Sequence, residues 1–305
     1  MNSILNNSAA LSALQSLNMT QQALAAVQGQ VSTGLSVASA SDNAAYWSIA
    51  TQLSSDSGMV SASNSALSQS QAVLDTANTA INSIITTINS IQQALTEATN
   101  PGAALADINT TLASLGQQLT DAVTGASFNG TNVLDGSSVG GSNTSVSFVS
   151  GFDAGLNNVT TISMSLTSVY TANSGSAGTG ALGQATGTTA LAGTYDLTLL
   201  GSAAGGGTQV TVANAQDILT AVNTALSSVT NYAAQIGATQ DRMSSISNLN
   251  MALTTNYANG VQGLVDADMN TASTRLQALQ TQEQLGIQSL SIANQNAQLI
   301  LKLFP

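Results

Sequence analysis

Apolar positions in the first thirty residues recur at intervals of three, four and seven: Ile4, Leu11, Leu14, Leu17, Leu24, Val27 and Val31. That spacing predicts one stripe along an α-helix, with a register slip near residues 17–18. The stripe ends at Gly34, within "STGLSVASASDNAAYWSIA" (32–50), where small Ser and Ala residues break the pattern. Helical spacing resumes with Ile81, Ile84, Ile85, Ile88, Ile91 and Leu95, and stops at "TNPG" (99–102), a turn built on Pro101 and Gly102. Leu105, Ile108, Leu112, Leu115 and Leu119 make a third stripe close to a strict heptad.

From about Asp135 the period changes. Residues 136–214 hold more than half of the 26 glycines, and the runs 144–150, 161–169, 194–200 and 208–213 alternate apolar with polar, which predicts short half-buried strands. Helical spacing then returns through Leu219, Val222, Leu226, Val229, Ala233, Ile236 and Met243, continued by Ile246, Leu249, Leu253 and Tyr257. Gly260, Gly263 and "DAD" (266–268) are expected to interrupt it before a last helix striped by Ile287, Leu290, Ala293, Ala297, Leu301 and Phe304. The expected fold is mainly α. N- and C-terminal helices pair as a coiled coil and long helical bundle, with a small all-β insertion at the tip. The expected divisions are 1–40 with 262–305, 41–135 with 215–261, and 136–214.

Composition narrows the chemistry. The chain has no Cys and no His, which removes thiol nucleophiles, imidazole bases and most transition-metal sites; no cofactor or metal is expected. Arg242, Arg275 and Lys302 are the only cations against a net charge of −11, so neither nucleic acid nor an anionic membrane suits it as a partner. No run of about 20 apolar residues and no secretory signal peptide are read in the sequence. Hydrophobic content is 43%, much of it Ala, with 3% aromatics, so cores are thin and the terminal helices need neighbours on more than one side. The expectation is a non-catalytic, associative chain.

The remaining motifs favour plain readings. Asp266 and Asp268 are expected to cap the last helix, whose positive end favours carboxylates, rather than bind a metal. "GSAAGGGTQ" (201–209) lacks the Gly-Lys-Ser/Thr ending of a phosphate loop. Asn143 and Asn158 match the N-glycosylation pattern by chance, O-linked modification of the insertion being the better alternative.

Several segments carry a resemblance to bacterial flagellin. They are "STGLSVASASDNAAYWSIA" and "SFNGTNVLDG" (127–136) near one end, and "IGATQDRMSSISNLN" (236–250), "LVDADMNTAS" (264–273) and "SIANQNAQLILKLF" (291–304) near the other. The resemblance implies a filament subunit whose terminal helices form an inner tube, longer helices a second layer and the insertion an outer face. It further implies a homopolymer for swimming, type III export, and an export chaperone, a filament cap and junction proteins as partners. Under it, Ile4, Leu11, Leu14, Leu24, Val27, Val31, Ile287, Leu290, Ala297, Leu301 and Phe304 serve polymerisation and the coiled coil. Gly34, Asp42, Trp47, Asp266 and Asp268 form the joint between layers: Gly34–Ser41 a flexible spoke, Asp42 a helix cap, Tyr46 and Trp47 a wedge into neighbours. Ser36, Ser41 and Asn43 replace the motif's usual Arg, Lys and second Asp, and Pro305 its common terminal Arg. Gln92 and Gln93 replace a basic–acidic pair on a surface that a vertebrate innate receptor reads in many flagellins. The alternatives are a hook–filament junction protein and a glycan-binding adhesin using Phe148, Phe152, Tyr170 or Tyr195.

Overall fold

The computed structural model describes residues 7–135, 145–153, 155–156, 158–166, 169, 180–183, 185–186, 194–202 and 207–303. Five helices, α1 (Ser8–Thr33), α2 (Ala44–Ala98), α3 (Leu105–Gly125), α4 (Ala215–Val265) and α5 (Met269–Leu303), dominate the described chain. An antiparallel hairpin, β1 (Ser145–Asp153) and β2 (Asn158–Ser165), and a two-residue pair, β3 (Ala185–Thr186) with β4 (Thr194–Tyr195), lie between α3 and α4. Contacts divide the chain into one unit of residues up to Gly58 and from Thr254 onward, and a second of Met59–Leu253.

The second unit owns the main core. Leu74, Ala77, Ile81, Ile84, Ile88, Ile91, Leu95 and Ala98 of α2 alternate at three and four residues and are buried. Ala215, Ile218, Val222, Ala225, Val229, Tyr232 and Ile236 of α4 do the same. Such spacing keeps one face of a helix toward its neighbour over many turns, so these α2 and α4 stretches expose little apolar surface. Polar side chains bridge the two helices in antiparallel order: Ser247 donates to Asn64 (2.9 Å), Gln240 to Asp75 (2.7 Å) and Gln92 to Asn223 (2.8 Å). Ile108, Leu112, Leu119 and Val123 of α3 join the same core, and the turn 99–104 separates α2 from α3 where Pro101 and Gly102 stand. The Tyr232 hydroxyl donates to the Val133 carbonyl (2.7 Å), and burial pushes the phenol well above its ordinary pKa.

In the hairpin, Val146, Phe148, Ile162 and Met164 face the core while Ser145, Ser147, Ser163 and Ser165 face out, as the alternation predicts. The other two expected strands are corrected. In 194–200 only Thr194 and Tyr195 pair, because the Asp196 carboxylate accepts from the Thr198 amide (2.9 Å) and turns Leu197–Leu199 into a 3-10 helix. Residues 208–213 form no strand, since the Val210 amide and carbonyl are taken by the Asn109 side chain of α3 (2.8 and 3.1 Å). A further correction concerns Gly260 and Gly263, which do not interrupt α4: the helix runs to Val265. A Cβ on Gly260 would stand 3.5 Å from Leu53 Cδ1, so this glycine lies where α2 and α4 run close.

Candidate assembly interface

The first unit holds α1, α5, the start of α2 and the end of α4. The helices α1 and α5 run antiparallel: the Asn7 side chain donates to the Ala293 carbonyl (3.0 Å), and Gln21 to the Glu283 carboxylate (3.3 Å). Buried and half-buried positions on α1 include Ala10, Ala13, Leu17, Thr20, Leu24, Val27 and Val31, which alternate in threes and fours, with Ala23 and Gln30 half-buried beside them. On α5 they are Ala272, Leu276, Leu279, Glu283, Gly286, Leu290 and Ala293, again in threes and fours. The two series form a heptad seam. At its centre a Cβ on Gly286 would come within 3.2 Å of Leu17 Cδ1, a gap that glycine leaves for the leucine.

This seam explains the register slip and corrects the stripe. Leu11 lies on the side of α1 turned away from the seam and Leu14 beside it, 66% and 49% exposed, and Ile287 on α5 is also exposed. Leu24, Val27, Val31 and Leu290 belong to the seam. Ile4 and Phe304 fall outside the described residues, as do the side chains of Ala297 and Leu301. The uncovered apolar set is large: Leu11, Leu14 and Met19 on α1, with Leu285, Ile287 and Ile292 on α5. Six exposed apolar side chains on two paired helices leave surface that another molecule can cover.

The joint is built from two chain crossings. α1 ends because Gly34 adopts φ 75°, a left-handed conformation open to glycine, while its amide still closes on the Gln30 carbonyl (2.8 Å). The next residues are pinned, which corrects the expectation of a flexible spoke. Leu35 bridges Asp266, and the Val265 carbonyl accepts from the amides of Ser36 (2.7 Å) and Val37 (3.3 Å) and from the Ser36 hydroxyl (3.2 Å). The Ala267 amide donates to the Gly34 carbonyl (2.8 Å). Val37, Ala50 and Val265 make a small buried core there, flanked by Leu35, Val261 and Leu264.

The carboxylates divide differently from expectation. Asn43, not Asp42, caps α2: its Oδ1 accepts from the amides of Ala45 (3.1 Å) and Tyr46 (3.2 Å). Asp42 instead closes the preceding loop, accepting from the amides of Ala38 (3.1 Å) and Ser39 (2.9 Å) and the Ser39 hydroxyl (3.0 Å). Those donors, the Ser39 hydroxyl foremost, hold its pKa below the ordinary 3.8. Asp268 caps α5 through the Asn270 amide (3.0 Å) and the Thr271 hydroxyl (2.8 Å), and the Thr271 hydroxyl and amide likewise lower its pKa. Asp266 is no cap; its place is in the backbone bridge with Leu35. Tyr46 and Trp47 do not wedge into this chain, being 48% and 39% exposed, with Ile49 also exposed beside them.

The functional residues that the stripes miss are Asn43, Val37, Ala50, Val265, Glu283 and Gly286. Two adjacent cap-forming residues, Asp42 and Asn43, leave the choice to backbone geometry, whereas the seam of small residues was readable from its strict spacing. Among the described residues no group of three metal-ligating side chains occurs, and no helix is long and apolar enough to cross a membrane.

Comparison with known proteins follows the same ends. Residues 4–139 match the bacterial flagellin N-terminal helical region, and residues 219–304 match the bacterial flagellin C-terminal helical region. The chain is similar to Flagellin C of Rhizobium meliloti (strain 1021), 37% identical over 320 residues spanning 100% of this chain and 99% of that protein. It is also similar to a flagellin of Brucella melitensis biotype 1, 36% identical over 307 residues, and to Flagellin FljO of Caulobacter vibrioides, 32% identical over 307 residues. Each of those two matches covers 100% of this chain and 99% of the relative.

Proposed function

The chain belongs to the bacterial flagellin family and is a structural subunit of the extracellular flagellar filament; from that premise we propose that α1 and α5 complete their core only against further copies. The observation that carries this is the pair's double character. One seam is closed within the chain, and a second apolar set, from Leu11 to Ile292, is left open. A contact between unlike surfaces that does not close on itself generates a helical filament rather than a ring. The terminal helices therefore gain order as the subunit adds, because their uncovered face finds apolar partners only there.

In this reading residues 1–40 with 262–305 make an inner layer, 41–135 with 215–261 a second layer, and 136–214 the outer face. Gly34, Asp42, Trp47, Asp266 and Asp268 belong to the joint between the first two, with Asn43 as the cap. Leu24, Val27, Val31 and Leu290 hold the pair together, while Leu11, Leu14 and Ile287 meet other copies. Ile4, Ala297, Leu301 and Phe304 are assigned to the ends of the same helices. The chain acts without catalysis, leaves the cell by type III export with an export chaperone, and meets cap and junction proteins at the filament's ends. An adhesin role gains no support from its aromatics: Phe148 and Tyr195 are buried, and Phe152 is half-buried. Tyr170 lies outside the described residues.

Deletion of residues 286–305 is the test. It removes Leu290, Ile292 and the Gly286 gap, and is expected to leave a partly helical chain that stays in the supernatant under conditions where the full chain sediments. Long filaments from the truncated chain would overturn the assignment.

A further inference from the structure

With no cysteine in the chain, its seven methionines hold all of its sulfur. Met164 and Met243 are buried in the second unit. Met19 is 58% exposed near the middle of α1. The seam toward α5 passes through Leu17, Thr20 and Leu24, so at 100° per residue Met19 projects away from α5, on the same outward side as Leu11. An exposed thioether, here with Gln15, Ser16 and Gln22 as exposed neighbours on the helix, is both an adaptable contact and an accessible nucleophile.

We infer that Met19 is a redox-sensitive modification site: a peroxide converts its thioether to the sulfoxide in the unassembled chain, and the sulfoxide opposes addition of that chain to the filament. The inference rests on the assignment of the outer face of α1 to contacts between copies. In the step a lone pair on Met19 Sδ attacks one peroxide oxygen and an S–O bond forms as the O–O bond breaks. The second oxygen leaves as water after taking the proton. Sulfur loses two electrons and the peroxide gains them. The product places a polar, chiral group where Met19 otherwise offers an apolar side chain, and assembly would have to desolvate that added dipole on a face assigned to contacts between copies. Once copies cover the face, the sulfur is shielded, so the modification discriminates free subunits from assembled ones.

The test uses the full chain, M19L, and a chain carrying M251L and M269L, which removes the other two methionines that are strongly exposed among the described residues. Each is treated with hydrogen peroxide before assembly. Sulfoxide at each methionine is read by peptide mass spectrometry, and the critical concentration for assembly by sedimentation. Peroxide is expected to raise the critical concentration of the native chain and of the M251L/M269L chain about tenfold, the equivalent of about 1.4 kcal/mol. The treated M19L chain is expected to stay within about twofold of its untreated value, as surface substitutions do. Peroxide added after assembly is expected to modify Met19 about tenfold more slowly than in the free chain, as burial of the sulfur requires. An M251L/M269L chain fully oxidised at Met19 that assembles like its untreated form would overturn the inference, as would equal impairment of the treated M19L chain. Failure of the untreated native chain to assemble would instead strike the underlying assignment.

Discussion

Asp42 and Asn43 are neighbours with different tasks, and their difference sets what acid should do to the joint. Asn43 caps α2, so Asn43→Ala leaves two amides of its first turn without that acceptor and is expected to cost about 1 kcal/mol of stability, read as a lower unfolding midpoint. Asp42 accepts these hydrogen bonds most strongly while ionised, and its pKa is lowered by the folded loop. Its contribution is therefore complete above pH 3.8, the ordinary value, and is lost as pH falls through the lower folded value. The fluorescence of Trp47, whose amide closes on the Asn43 carbonyl (2.9 Å), reports on that turn. A midpoint below pH 3.8 that disappears in the Asp42→Asn chain is expected; an unchanged acid transition in that variant would remove Asp42 from the loop's pH response. The sequence placed a polar joint at these residues but not the division of labour. Asp and Asn are equally good caps, and only the loop's closure on Ser39 decides which one reaches the helix.

Helices differ in what their stripes face. Ile88 is fully buried in the second unit, and Ile88→Ala is expected to destabilise it by about 2–5 kcal/mol. Leu11 is two-thirds exposed, so Leu11→Ala is expected to shift the unfolding of the free chain by under about 0.5 kcal/mol while weakening assembly. Equal losses of monomer stability from both changes would show Leu11 to be covered within the chain. The long elements were legible because their apolar residues keep one period: the α2 stripe through Ile81–Leu95 and the α4 stripe through Val222–Ile236 match the buried positions closely. Residues 194–200 and 208–213 were not, because alternation marks a half-buried segment without naming its partner. In one case that partner is a side chain of its own turn, in the other the amide of Asn109. The glycines of α4 misled for a related reason. A helical glycine costs about 1 kcal/mol of propensity, which a close helix neighbour such as Leu53 can offset.

At the scale of the whole molecule, motifs at both ends identified the family, while the copy-to-copy surface stayed hidden in the sequence. A leucine stripe looks the same whether its partner is the same chain or another. Leu11 and Leu14 read as one series with Leu17 until burial separated them. The net charge of −11 makes copies repel, so the attraction between them must come from apolar contact and uncharged hydrogen bonds. Helical reconstruction by electron microscopy of filaments grown from this chain tests that attribution most directly. It is expected to show Leu11, Leu14, Leu285 and Ile292 packed against other copies, each losing most of the exposure it has in the single chain. Filaments in which those side chains face open solvent would contradict the account.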